Sequence, residues 1–314
     1  MSLTELGIRE EIERIRLNVE KVIKGKQSAI EMVIICLLTD GHVLIEDVPG
    51  VGKTMLARSL AQSVAGDFKR IQFTNDLLPT DILGNYIFMK STEQFVFHPG
   101  PIFTNILLAD EINRGTPKVQ SALLEGMEER TVSLDRNTHS LPDPFFVIAT
   151  ENPIEQTGTF SLPEAELDRF MVKIRIGYPS RESEMSMLQA VQVKHPINDL
   201  GPVTDKMKIT AMRDAIKKVG ISNEIRGYII DLLAATRGDA DVILGGSPRA
   251  AIALQRLTQG LAAFAGRDFV IPDDVKKGFN PVLRHRIKIS PQARLNKMTT
   301  DDILERIIKN VRVP

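Results

Sequence analysis

Cysteine is all but missing. The only one, Cys36, lies in the apolar run at 32–38, which excludes an intramolecular disulfide and marks a small, buried apolar side chain. The five histidines are scattered without ligand spacing, so no structural metal site is expected. An excess of one charge is missing as well. The 40 Lys+Arg balance 40 Asp+Glu, which removes any bulk pull toward nucleic acid or an acidic membrane. No apolar stretch approaches the roughly 20 residues that cross a bilayer. The early charges at Glu5, Arg9, Glu10 and Glu11 leave no apolar core for a signal peptide. No membrane insertion is expected, and the cytoplasm is the expected compartment. Internal repeats and low-complexity linkers are also absent.

What is present is an ordinary globular composition, 43% hydrophobic and 25% charged, in 314 residues, long enough for two domains. Ile8, Ile12, Ile15 and Val19 form a helical stripe between about 3 and 22, and a second helix is expected over 28–38. Strands are expected near 42–45, 67–74, 104–111, 145–150 and 172–176, each apolar on both faces and separated by helices. That alternation predicts an α/β layer with a mainly parallel sheet. Two hairpins are expected, at about 85–98, with Phe95 and Phe97 on one face, and at about 131–141. The segment at 80–84 reads as neither helix nor strand. Past Tyr178 helical patterns take over, near 182–193, 205–219, 223–237, 248–265, 272–284 and 300–311. The expected division is therefore an α/β core over 1–178 and a smaller all-α domain over 179–314.

The most informative stretch is Glu46-Asp47-Val48-Pro49-Gly50-Val51-Gly52-Lys53-Thr54, between an apolar strand and a helix that continues from Met55. In that context backbone N–H groups of the loop and the helix N-terminus cradle a phosphate. Lys53 reaches the β- and γ-phosphates, and the Thr54 hydroxyl ligates Mg²⁺. The usual pattern has glycine where this chain has Asp47. Asp110 and Glu111 end a buried strand. An aspartate there holds Mg²⁺ and the adjacent glutamate polarises an attacking water, or both simply begin the next helix. Asn152 closes the next strand, where its amide would orient that water or start an Asn-Pro turn. Arg169 follows a short helix. It would neutralise transition-state charge in a neighbouring subunit, or merely complement the helix dipole, and the residues alone favour the dipole. Arg249 opens a helix behind Ser247 and Pro248, where a cation is mildly unfavourable, which favours phosphate sensing over plain exposure.

In this order the motifs resemble the AAA+ ATPases. Their finer wording is similar to the MoxR family, within the clade that carries an insert in helix 2. The matching stretches are Val43 to Gly50, Ala109-Asp110-Glu111-Ile112-Asn113-Arg114, Ala149 to Gln156, Leu162-Pro163-Glu164-Ala165, Leu167-Asp168-Arg169-Phe170 and Ser247-Pro248-Arg249-Ala250. The resemblance implies a P-loop core with a helical lid. It implies Mg-dependent ATP hydrolysis with Lys53 and Thr54 in Walker A, Asp110 and Glu111 in Walker B, and Asn152 as sensor 1. It makes Arg169 the arginine finger, which overrides the dipole reading, and Arg249 sensor 2. Val22, Ile23 and Gly25 would touch adenine. The hairpins become the helix-2 insert and the pre-sensor-1 hairpin. It also implies a homo-oligomeric ring, commonly hexameric, that remodels a client protein complex with a von Willebrand factor A domain partner, maturing the client or inserting its metal cofactor. The competing readings are a magnesium-chelatase-like motor subunit, a nucleic-acid-linked motor, and a nucleotide switch, against which Glu111 argues. Nucleic acid is not the expected partner, since the chain carries no long basic run. Arg114 and Arg130 are further candidates to reach a neighbour's nucleotide.

Overall fold

Five strands form one parallel sheet in the order β2-β5-β8-β1-β9. A computed structural model of the chain describes residues 7–134, 137–153, 158–191 and 196–314. The expected helix start near residue 3, the hairpin tip at Asp135 and Arg136, the stretch Ile154-Glu155-Gln156 and the end of the 182–193 helix lie outside these residues. The first half runs α1 (Ile8–Glu20), α2 (Gln27–Leu38), β1 (Val43–Glu46), α3 (Lys53–Ser63), β2 (Phe68–Gln72), α4 (Pro79–Leu83), β3 (Gly84–Met89), β4 (Gln94–Pro99), β5 (Ile106–Asp110) and α5 (Pro117–Glu129). There follow β6 (Thr131–Leu134), β7 (Asn137–Ser140), β8 (Phe146–Glu151), α6 (Glu164–Leu167) and β9 (Val172–Ile174). The remainder is α7 (Arg181–Val191), α8 (Lys206–Ile216), α9 (Asn223–Gly238), β10 (Val242–Leu244), α10 (Pro248–Phe264), α11 (Pro272–Leu283), β11 (Lys288–Ile289), α12 (Pro291–Leu295) and α13 (Thr300–Asn310).

The period-2 alternation of β1, β5 and β8 divides the core. Val43, Ile45, Ile106, Leu108, Phe146 and Ile148 face α1, α2 and α3. Leu44, Leu107, Ala109, Val147 and Ala149 face the other way, onto α5 and Ile82 of α4. These three strands are buried on both faces as expected. β2 is not. It is an edge strand in which only Ile71 is buried, because among the described residues one of its flanks has no neighbouring strand. The 80–84 segment forms α4, a single turn begun by Pro79 and capped by Asp81, whose carboxylate accepts the Leu78 N–H at 2.8 Å. With Ile82 its only buried residue, it shows no readable period.

Both hairpins form. In the first, Gly84 pairs with Pro99 at φ +95°, and a Cβ there would lie 2.3 Å from the His98 carbonyl, so only glycine fits. The helical part carries in addition a two-stranded antiparallel ribbon, β10–β11. Four of its helices start on serine or threonine caps: Ser222, Ser247, Ser290 and Thr299 each accept a backbone N–H three residues on. α8 and α10 pack on α2, and α11 lies beside β9. The apolar side chains of these helices, Met212, Leu254 and Phe279 among them, join the same core as α1 and α2.

Candidate active site

β1 ends at Glu46 and the chain turns through 47–52 into α3. Gly50 and Gly52 hold φ of +86° and +93°. Space beside Gly50 is open, so the backbone conformation and not crowding demands glycine there. Lys53 is buried, and its Nζ donates to the Asp47 carbonyl at 2.5 Å. Burial lowers the ammonium's pKa, against the pull of the Asp110, Asp47 and Glu111 carboxylates. A partly desolvated cation bonded to a single carbonyl is suited to an incoming anion. Thr54 follows, half-buried, at the helix start. Val22, Ile23, Val51 and Met55 line a cavity with both loop glycines, closed on its far side by Met187 of α7. Gly25 lines the adjoining cavity, with Lys26.

Asp47 acquires a structural role that the motif comparison alone did not offer. Its carboxylate accepts the N–H groups of Val48 at 2.9 Å, Ile176 at 2.7 Å and Gly177 at 2.6 Å. The phosphate loop is thereby tied to the chain leaving β9.

Asp110 and Glu111 leave β5 beside Thr150 of β8. Thr150 Oγ1 donates to Asp110 Oδ1 at 2.6 Å and accepts the Glu111 N–H at 2.8 Å. Glu111 is left-handed at φ +54°, a conformation that costs a non-glycine residue about 1 kcal/mol or more. Two side chains from edge strand β2 reach this pair. Arg70 Nη2 donates to Asp110 Oδ2 at 2.7 Å, and Gln72 Nε2 donates to Glu111 Oε2 at 2.8 Å, which Arg114 also approaches at 3.0 Å. Arg114 is thus engaged within its own chain. Asn152, buried, stands one residue beyond β8. Arg70 and Gln72 belong to no motif named above, and Thr150 has no assigned role in the stretch that contains it; the alternation Arg70-Ile71-Gln72, polar on both sides of one buried residue, is the sequence signal for the first two.

The hydroxyl of Thr54 and the carboxylate of Asp110 are hard oxygen donors of the kind Mg²⁺ takes. Among the described residues no three acidic, histidine or cysteine side chains cluster as a metal site. A cation that draws its other ligands from phosphates and water fits this donor set.

Arg169 and Arg249 lie elsewhere. Their cavity is walled by Asp40, Gly41 and His42, which precede β1, and by Met171, which precedes β9. It therefore opens at the N-terminal ends of strands whose C-terminal ends carry the phosphate loop, about 13 Å away along a four-residue strand. Neither arginine lines the phosphate-loop cavity of its own chain. Both meet Glu128 of α5: Arg169 Nε stands 3.1 Å from Oε2, and Arg249 Nη2 donates to Oε1 at 2.8 Å. The loop carrying Arg169 is braced by buried Arg286, which donates to Asp168 Oδ1 at 2.5 Å and to the Phe170 and Met171 carbonyls. Ser247, the cap of α10, donates to Asp168 Oδ2 at 3.0 Å. Arg130 is used internally, donating to the Phe145 carbonyl and to Asp40 and packing over the Phe145 ring.

Residues 42–172 match the ATPase family associated with various cellular activities (AAA), and residues 234–307 match the AAA lid domain. Chaperone MoxR1 of Mycobacterium tuberculosis is 39% identical over 96% of this chain and 82% of its own. The protein YeaC of Bacillus subtilis is 46% identical over 95% and 93%. A crystal structure of a Cytophaga hutchinsonii protein assigned as an ATPase superposes with a TM-score of 0.92, at 40% identity, over 98% of this chain and 96% of that one. With the glycine loop, the acidic strand end and the helical lid in place, these matches show that the chain belongs to the MoxR family of chaperone-like AAA+ ATPases, with an α/β P-loop core and a helical lid.

Proposed function

We propose that the protein hydrolyses ATP at junctions between identical subunits of a ring. The observation that carries this is the placement of the two half-sites at opposite ends of β1. One chain holds a phosphate loop and, at the other end of the sheet, two arginines. An active site containing both forms only where the loop end of one subunit meets the arginine end of the next. Such a contact is head-to-tail, so repeating it gives a ring or a filament and never a two-fold dimer with both sites filled. A hexamer is the expected closure.

In this reading the loop amides and Lys53 hold the β- and γ-phosphates of ATP, while Val22, Ile23 and Met55 pack on the adenine. Thr54 and Asp110 would hold Mg²⁺, which neutralises charge on the phosphates. Glu111 takes the proton of the attacking water, oriented by Asn152. To do so the Glu111 carboxylate must leave Gln72 and Arg114. Arg169 and Arg249 stabilise the charge that develops on the neighbour's γ-phosphate. The exposed apolar hairpin β3–β4 engages the client, and a von Willebrand factor A domain protein serves as partner in its maturation or metal-cofactor insertion. Balanced charge favours this over a nucleic-acid motor, and a chelatase-like motor would use the same half-sites with another client.

The test is Arg169→Ala. It is expected to leave assembly intact and lower turnover by about 100-fold or more. In the unsubstituted protein, turnover per subunit should rise with protein concentration. Normal turnover in the variant would refute the junction site. Affinity capture with ATP-loaded Glu111→Gln protein identifies the client, and recovery of nucleic acid instead would favour the motor.

A further inference from the structure

One carboxylate holds both arginines of the second half-site. Glu128 lies in the last turn of α5, where an acidic side chain is disfavoured by the helix dipole. Arg249 lies in the first turn of α10, where a cation is disfavoured for the same reason. Each residue is misplaced in its own helix and matched across the boundary between core and lid. Each Glu128 oxygen takes one guanidinium. The two contacts differ in kind: Arg249 makes an aligned hydrogen bond, whereas Arg169 Nε is held by charge without one. Two guanidiniums on one carboxylate leave one positive charge uncompensated. Arg256, a further two turns along α10, adds a second, exposed and unpaired among the described residues. The cluster is an anion receptor with a carboxylate already seated in it.

We propose that Glu128 is a positioning residue for hydrolysis in the neighbouring subunit: it sets Arg169 of the core and Arg249 of the lid side by side, in the spacing that the arriving γ-phosphate oxygens take over. This rests on the junction reading above. Glu128 touches no substrate. It acts by fixing two long side chains that would otherwise sample many rotamers, one of them on a different layer of the molecule.

The experiment mixes two variants, each inactive alone. The donor carries Lys53→Ala and keeps its arginines; the acceptor carries Arg169→Ala and keeps its nucleotide loop. Mixed oligomers regain turnover at junctions where donor arginines meet an acceptor loop, and failure to regain it refutes the junction reading itself. Glu128→Ala is then placed in one member at a time. In the donor it is expected to lower the regained kcat by about tenfold with KM for ATP within twofold, the scale of a modest misplacement of reacting groups. In the acceptor, whose own Arg169 is already gone, regained turnover should hold. Equal loss on both sides would show a merely structural ion pair, and no loss on the donor side would show that Glu128 does nothing for the arginines; either overturns the proposal. Glu128→Gln keeps the shape and removes the charge, so a donor with this change should also lose turnover, and full activity there would overturn it too.

Discussion

A carboxylate oxygen that already receives two donors is not free for water. Glu111 is in that state, between Gln72 and Arg114. Gln72→Ala removes one donor on an exposed edge strand and is expected to raise basal ATP turnover a few-fold with little change in stability, read in a steady-state phosphate-release assay. A fall in turnover would mean that Gln72 positions Glu111 and does not restrain it. Asp47 gives the opposite kind of prediction. Asp47→Ala leaves the Ile176 and Gly177 N–H groups without acceptors, and an orphaned buried donor costs about 1–3 kcal/mol. Denaturant unfolding should show a loss of that size. An unchanged midpoint would show that water replaces the carboxylate. At this scale Gly50 and Gly52 are legible in the sequence, because the positive φ they hold restricts which residues can stand there. Asp47 stands out only as an exception to the motif, since apart from that of adjacent Val48 the amides it accepts lie about 130 residues further along the chain.

The elements that come from strong periodicity follow the pattern in the sequence. α5 and the β3–β4 and β6–β7 hairpins occupy the expected spans among the described residues, because alternation and turn residues act locally. α4 has no readable period, being one turn long, and β2 departs from the expected burial on both faces because apolar content does not reveal which neighbour is missing. The contact between the hairpins was not legible either. His139 of β7 stacks on Phe97 of β4 at 4.0 Å and 15°, and lies 3.1 Å from the Tyr86 hydroxyl of β3. These contacts tie the two hairpins together. His139→Ala is expected to speed amide hydrogen exchange in 86–98 while exchange in β1, β5 and β8 stays unchanged. Uniform protection in both proteins would mean that strand pairing alone holds the hairpin.

For the molecule as a whole, two buried imidazoles weaken the fold as pH falls. His42 accepts the Val147 N–H on Nδ1 and contacts the Met127 carbonyl through Nε2; His285 Nε2 meets the Phe170 carbonyl. Burial, aided by nearby arginines, holds both well below the ordinary histidine range. The folded chain therefore keeps them neutral, while the unfolded chain takes up a proton at each near pH 6.5. Stability is therefore full above about pH 6.5 and is lost as pH falls below it, with a slope approaching two protons. Denaturant midpoints between pH 5 and 7 measure this, and a flat profile would refute the neutral pair. The two-half architecture has a genetic consequence as well. In the proposed ring each chain serves one catalytic junction with its loop and another with its arginines, so a chain defective in both, such as the Lys53→Ala, Arg169→Ala double variant, would silence two junctions for every copy incorporated. Expressed beside the normal gene, it would act as a dominant poison, its effect rising faster than its share of the pool.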